Sequence, residues 1–232
     1  MKEPTDPLAR QMALSALTTE HFNAQTARIG TISEANGRSS LYLGTLSSAT
    51  IAIAFIGQAQ DLGDTFYLFA LILLPSVFLL GVFTYLRLVQ TSVEDYVFAL
   101  VSLRIREYFV GIDPAVTPFF PQTDVEGMKK LMRMGMVPAS PFQAFLTTAS
   151  MVASINAIVG GVAVALAVRS LLDASAVTAG LVGVLFGLVF EICFLIVGSR
   201  RFLRAAAVVP ELYPWEGSGA VAWSAKIQGK NQ

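Results

Sequence analysis

The sequence predicts an all-α, polytopic membrane protein with four transmembrane helices and long cytoplasmic helical extensions. Of its 232 residues, 54% are apolar and only 14% are charged. The mean hydropathy of +0.63 is too high for an ordinary soluble domain. A helix needs roughly 20 predominantly apolar residues to cross a hydrocarbon core about 30 Å thick. Four segments meet this requirement, and they cover residues 41–58, 65–86, 143–168 and 176–198.

The N-terminal region, residues 1–38, is predicted to be a cytoplasmic helix. Apolar residues are distributed through a polar background at imperfect helical spacing. The helix either runs directly into the first span or breaks at Asn36-Gly37, where both residues tolerate a left-handed conformation. Because no apolar core precedes the first span, we expect that span to serve as its own insertion signal.

The first transmembrane hairpin, residues 39–87, contains the spans 41–58 and 65–86. Small and hydroxyl residues dilute the first span, which then ends in an apolar run at 51–57. Pro75 lies near the centre of the second span and predicts a bend there, because proline removes a backbone donor and its ring clashes with the preceding turn.

The cytoplasmic insert, residues 88–142, begins as a continuation of the second span. Apolar residues recur at spacings of three and four, so we expect this helix to extend to Val110 and to end at Gly111 and Pro114. Further on, Thr123-Asp124-Val125-Glu126 has the form of a capping box that starts another helix.

That second insert helix combines methionines with basic residues. It could bind a partner or anionic lipid headgroups, or it could pack under the bundle, and both interpretations are open. Its methionines are Met128, Met132, Met134 and Met136.

The second transmembrane hairpin, residues 143–198, contains the spans 143–168 and 176–198, and a cytoplasmic tail, residues 199–232, follows. Of the 16 Lys and Arg residues, all but Arg169 fall on one side of this arrangement. Because positive charge resists translocation, both termini are predicted to be cytoplasmic.

Three of the four spans carry small residues at a spacing of four, which lets helix backbones approach closely in lipid. The stripes comprise Gly44, Ser48 and Ala52 in the first span, Ala149, Ala153, Ala157, Gly161 and Ala165 in the third, and Ala179, Gly183 and Gly187 in the fourth. Three such faces exceed what one compact bundle needs, so we expect self-association into a homo-oligomer.

Glu191 is the single acidic residue in the four spans. An ionisable group inside a bilayer normally faces the bundle interior or water. It continues the small-residue stripe of the fourth span, and Asn156 of the third span is a candidate partner. Glu191 could line an ion path, or it could be a hydrogen-bonded structural acid.

No catalytic constellation is visible, so we expect no enzyme activity, no cofactor and no nucleic-acid partner. His21 is the single histidine, without a cysteine cluster, and is a poor basis for a metal site. Neither a GxxxxGK[ST] loop nor a GxSxG motif occurs.

The stretch at residues 21–42, HFNAQTARIGTISEANGRSSLY, and the later Ser92-Val93-Glu94-Asp95-Tyr96 resemble an uncharacterised family of small bacterial membrane proteins, of actinobacterial type. The resemblance covers about half the chain and implies no known activity. A long cytoplasmic helix leading into a membrane hairpin is also loosely similar, in architecture alone, to bacterial membrane effectors of phage defence.

These observations predict a homo-oligomeric pore or ion channel, because four spans are few for a transporter built from inverted repeats. Thr45, Ser48 and Gln58 are candidates to line a polar path. The alternative is a membrane-anchored scaffold or signalling effector that acts through its cytoplasmic helices.

Overall fold

A computed structural model of the chain describes residues 6–59, 63–120 and 147–212. All regular structure in these ranges is helical, as predicted. The long helices are α1 (Pro7–Ala59), α2 (Asp64–Ile112), α3 (Thr148–Leu171) and α4 (Ala176–Leu212), and a short 3-10 helix covers Pro114–Phe119.

Each of the four long helices is long and apolar enough to cross a membrane. Each also contains one of the predicted spans, although residues 143–146 of the third span lie outside the described residues. The prediction of an all-helical chain with four apolar, membrane-length helices is therefore confirmed.

Helix α1 is continuous from Pro7 to Ala59, so the break considered at Asn36-Gly37 does not occur. A glycine inside a helix costs only about 1 kcal/mol relative to alanine. Helical residues on both sides of Gly37 outweigh that cost, and Ser39 Oγ donates to the Ala35 carbonyl across it at 2.8 Å.

Helix α2 passes through Pro75 and ends at Ile112, two residues beyond the predicted end at Val110. Asp113 then caps the 3-10 helix, because its Oδ1 accepts a hydrogen bond from the Ala115 amide at 2.9 Å. The bend predicted at Pro75 stays a prediction. The proposed capping box, the methionine-rich segment and the tail beyond residue 212 lie outside the described residues.

Helix α3 begins at a threonine cap and ends in a tight connection to α4. Thr147 Oγ1 accepts from the Ser150 amide at 3.2 Å, which satisfies one of the free donors of the first turn. At the other end, Arg169 donates to the Ala174 carbonyl at 2.8 Å, and Asp173 adopts a positive φ of 48°. The two apolar helices are thus joined by a very short turn.

The chain divides into two compact units. Unit one comprises Met1–Ser33, Thr91–Ser140 and Leu203–Gln232, and unit two comprises Glu34–Gln90 and Pro141–Phe202. Within the described part of unit one, Arg28 forms an ion pair with Asp95 at 2.8 Å. Gln25 also donates to the Ser102 hydroxyl at 3.1 Å, so polar contacts join α1 to α2 there.

Unit two contains the main hydrophobic core, in which all four helices take part. Tyr42, Leu88, Val152 and Asn156 are its most completely buried large side chains. Aromatic rings connect α2 with α4, as Phe78 packs edge-on against Phe190 with ring centroids 5.0 Å apart. Side chains at these positions fill the core of unit two.

Candidate functional site

Helices α3 and α4 approach each other through glycine backbones. A Cβ atom on Gly161 would lie 2.7 Å from the Gly183 carbonyl oxygen, and one on Gly183 would lie 2.5 Å from the Gly161 carbonyl oxygen. A Cβ atom on Gly187 would lie 3.0 Å from the Ala157 carbonyl oxygen. Glycine is therefore required at the centre of this contact, where any side chain would force the helices apart.

Two of the three predicted small-residue stripes thus pack against each other within a single chain. Ala157, Gly161 and Ala165 of α3 meet Gly183 and Gly187 of α4. Their presence is explained by folding alone and does not by itself require a second copy. The remaining members of the two stripes, Ala149, Ala153 and Ala179, are buried or half-buried in unit two.

An open groove of about 620 Å³ runs along this helix pair. Gly180, Gly183 and Gly187 contribute to its wall on α4, and its exposed apolar lining includes Ile158 and Leu188. Such a volume lies within the range of ligand and docking sites, roughly 300–1,000 Å³.

Glu191 lies at one end of the groove. Its Oε1 accepts a hydrogen bond from the Ser154 hydroxyl at 2.9 Å. Its Oε2 is buried and has no hydrogen-bond partner among the described residues. A buried carboxyl oxygen without a partner is costly.

Asn156 is not the partner of Glu191, contrary to the sequence prediction. It is completely buried on another face of α3, where its Oδ1 accepts a hydrogen bond from the Tyr42 hydroxyl at 3.1 Å. A Cβ atom on Gly81 would clash with the Asn156 side chain. Ser154 and Asn156 are two residues apart and point about 200° apart around the helix, so Glu191 cannot face both.

The predicted polar residues of the first span are exposed on α1. Gly44, Thr45, Ser48 and Gln58 are all exposed, and no atom lies within 4 Å of a Cβ built on Gly44. The Thr45 and Ser48 hydroxyls donate to carbonyls of the preceding turn at 2.9 and 3.0 Å. Of the first-span stripe, Gly44 and Ser48 are therefore exposed among the described residues of unit two, whereas Ala52 is half-buried.

Sequence reasoning missed three further polar contributors: Ser154, Tyr42 and Tyr85. The Tyr85 hydroxyl donates to the Phe194 carbonyl, and a Cβ on Gly198 would lie 2.6 Å from that hydroxyl. A tyrosine inside an apolar segment indicates that its hydroxyl needs a hydrogen-bond partner. The sequence does not identify that partner.

A charged cluster joins α1 and α2 at one end of unit two. Arg87 donates to both carboxylate oxygens of Glu34 at 2.8 Å, and Arg38 donates to Oε1 at 2.8 Å. Hydrogen bonds from Arg87 and then Arg38 lower the pKa of Glu34 to about 2. This cluster holds the two helix segments together on the side where the sequence predicts cytoplasm.

His21 lies in unit one, and burial, assisted by the charge of Arg106, lowers its pKa. Among the residues that the structure describes, no group of three or more His, Cys, Asp or Glu side chains is placed to hold a metal ion.

Comparison of the chain with protein-family models, with curated proteins and with solved structures finds no match to any of them.

Proposed function

We propose that the protein crosses a membrane four times, with both termini on the cytoplasmic side. The four apolar helices support this topology. In unit two, Arg38 and Arg87 meet at one end through Glu34. The contact of Tyr85 with Phe194 brings the middle of α4, with Arg200 shortly after it, to that side as well. Basic residues thus collect at one end, as the positive-inside rule requires.

We further propose that several copies assemble into a pore or ion channel at a bacterial plasma membrane. The observation that carries this proposal is the set of exposed polar side chains on the first span of α1, which includes Thr45, Ser48 and Gln58. Tyr42 and Val152 are almost completely buried in the core of unit two. We therefore propose a path between copies, where polar side chains of α1 can line it.

Ion flux through liposomes that contain the purified protein tests this function. We expect flux from the wild type and a marked loss in Thr45→Val and in Gln58→Leu, because each removes a polar group that would face the path. Ser76→Ala is the matched control, since Ser76 is an exposed hydroxyl residue of α2 at a similar depth. Equal flux from all four proteins would remove Thr45 and Gln58 from the path.

The second candidate function is a scaffold or signalling effector that acts through its cytoplasmic helices. One observation favours it: in unit one, α1 leaves Phe22 and Ile29 each 67% exposed outside the predicted span. Large apolar side chains exposed to water mark interaction surfaces. The scaffold function replaces the pore under two conditions. The wild type produces no ion flux in any lipid mixture, and Ile29→Ser abolishes the phenotype that deletion of the wild-type protein also abolishes in cells.

A further inference from the structure

In unit one, helix α1 carries an exposed face without charge. From Leu8 to Ser33, exposed positions follow one another at alternating spacings of four and three residues, which is the heptad spacing of a coiled-coil seam. The large apolar members of this uncharged face are Leu8, Met12, Phe22 and Ile29, which are 64% to 67% exposed. The other four members are Ser or Thr. The face is long enough for a coiled coil, which needs about three to four heptads.

The opposite side of this segment of α1 contacts α2. Ala24 and Thr31 are buried there, and Arg28 forms its ion pair with Asp95. No residue of α2 between 93 and 110 is exposed. The open surface of this helix pair therefore lies on α1.

The charges of this segment lie away from the uncharged face. Its charged residues among those described are Asp6, Arg10, Glu20 and Arg28, and none occupies the face or the heptad positions that flank it. Charges at flanking positions select the partner of a coiled-coil helix, and like charges repel when identical helices meet in parallel. A face that has no charge on it or beside it is suited to a second copy of the same helix.

The hydroxyl groups on the face do not prevent such a contact. Thr19 Oγ1 already donates to the Ser15 carbonyl at 3.0 Å. Covering Thr19 therefore breaks no hydrogen bond, and its methyl group can pack against a neighbouring helix.

A membrane surface matches this face less well than a second copy does. Helices that lie on membranes are rich in Lys and Arg on the side that meets the headgroups. Between residues 6 and 33 the basic side chains of this kind are Arg10 and Arg28 alone, and Arg28 is held by Asp95.

We propose that α1 of one copy packs in parallel against α1 of a second copy through the uncharged face, with Phe22 against Phe22 and Ile29 against Ile29. The parallel direction rests on the proposed function and its topology, because copies in one membrane share their orientation. Identical residues then meet at each level, and the contact covers apolar side chains that water would otherwise surround. It supplies an association between copies, which the proposed pore requires.

Disulfide cross-linking between two differently tagged copies tests this contact. All variants carry Cys193→Ser, because the native cysteine is exposed. Thr19→Cys places a thiol on the face, whereas the matched control Glu20→Cys places one at the next residue, which is also exposed but lies about 100° away around the helix. A disulfide requires Cα atoms within about 7 Å, so we expect linked dimers in membranes from Thr19→Cys and several-fold fewer from Glu20→Cys. Thr26→Cys, one heptad further on, should link as Thr19→Cys does.

Equal linking at Thr19 and Glu20 would overturn the proposal, because it would reflect random collision instead of a defined face. Absence of links at both Thr19 and Thr26 would also overturn it and would leave the face to a lipid surface or to another protein. Linking without ion flux would keep the contact and reject the pore, whereas flux without linking would reject the contact alone.

A pair of charge variants tests whether Phe22 of one copy meets Phe22 of the other. Because Phe22 is 67% exposed, Phe22→Glu and Phe22→Lys should each keep the thermal stability of the chain. With Thr26→Cys in every copy, each charge variant alone should link several-fold less than the parent, since like charges would meet. A copy with Phe22→Glu and a copy with Phe22→Lys should link to each other more than either links to itself. Unaltered linking in both variants, or no preference for the mixed pair, would overturn the proposal.

Discussion

Asn156 is a completely buried polar side chain in the core of unit two, and its position explains the glycine opposite it in α2. Its carboxamide accepts the Tyr42 hydrogen bond and occupies the space into which a side chain at position 81 would project. In lipid, a hydrogen bond between helices contributes about 0.6 kcal/mol on average. The contact therefore fixes which faces of α1, α2 and α3 meet more than it adds to stability.

Gly81→Ala should destabilise the protein by about 1–3 kcal/mol, because the new methyl group overpacks against Asn156. Asn156→Ala should recover part of that loss in the double variant, so the two changes are not additive. Gly44→Ala is the control, since its Cβ meets open space. Thermal unfolding in a mild detergent compares the wild type with both single variants, the double variant and the control, and strictly additive losses would contradict the steric explanation.

For Glu191, the sequence identifies the unusual residue but does not identify the side chain that it contacts. Glu191 stands out because it is an acid in an apolar segment, and it lies in the groove as part of the α4 stripe. Its partner is Ser154 instead of Asn156. Both residues fit the α3 pattern equally well until the rotation of α3 about its axis is known. Pairwise packing sets that rotation, and no single-helix pattern contains it.

Helices α1 and α2 are held together by charged side chains as well as by apolar packing. Glu34 accepts from two arginines of different helices, and its side chain is one-third exposed. Because water and salt reach this cluster, its energetic effect is screened. The cluster therefore stabilises the contact between the two helices to an extent that depends on pH and salt.

The wild type should be more thermostable than Glu34→Gln at neutral pH, and the difference should vanish in acid. The arginines lower the pKa of Glu34 from 4.5 to about 2, so its stabilisation is present above pH 4.5 and is lost as the pH falls towards 2. Melting curves of both proteins at low ionic strength, between pH 7 and pH 2, measure this. A difference that persists unchanged at pH 2, or that high salt does not reduce, contradicts the assignment.

Helix lengths are more readily predicted than helix partners. The continuation of α2 past Arg87 follows from apolar spacing, and the helix ends within two residues of the expected position. The stripes at Gly161 and Gly183 are also visible in sequence. The same pattern suits contact within a chain or between chains, so the inference from three stripes to an oligomer was incomplete. In the described part of unit two, the α1 stripe is exposed at Gly44 and Ser48.

For the whole molecule, four membrane-length helices follow from composition and segment length, because few other arrangements accommodate so much apolar surface. Function does not follow in the same way, since a pore and a scaffold can share this architecture. What separates them is whether copies associate and whether water passes between them. Both are properties of how copies associate, so composition and segment length do not determine them.

The proposed topology makes a prediction that is independent of assembly. Single cysteines at Gly63 and Ala174, in a chain with Cys193→Ser, should react with a membrane-impermeant maleimide added to intact cells, because both positions lie in the connections at the external side. Cysteines at Ser140 and Gly229 should react only after the membrane is made permeable. The positive-inside rule predicts this result, since the proposed topology puts all basic residues except Arg169 on the side of Ser140 and Gly229. Reaction of Ser140→Cys in intact cells would reverse the orientation and would place the Glu34 and Arg87 cluster outside.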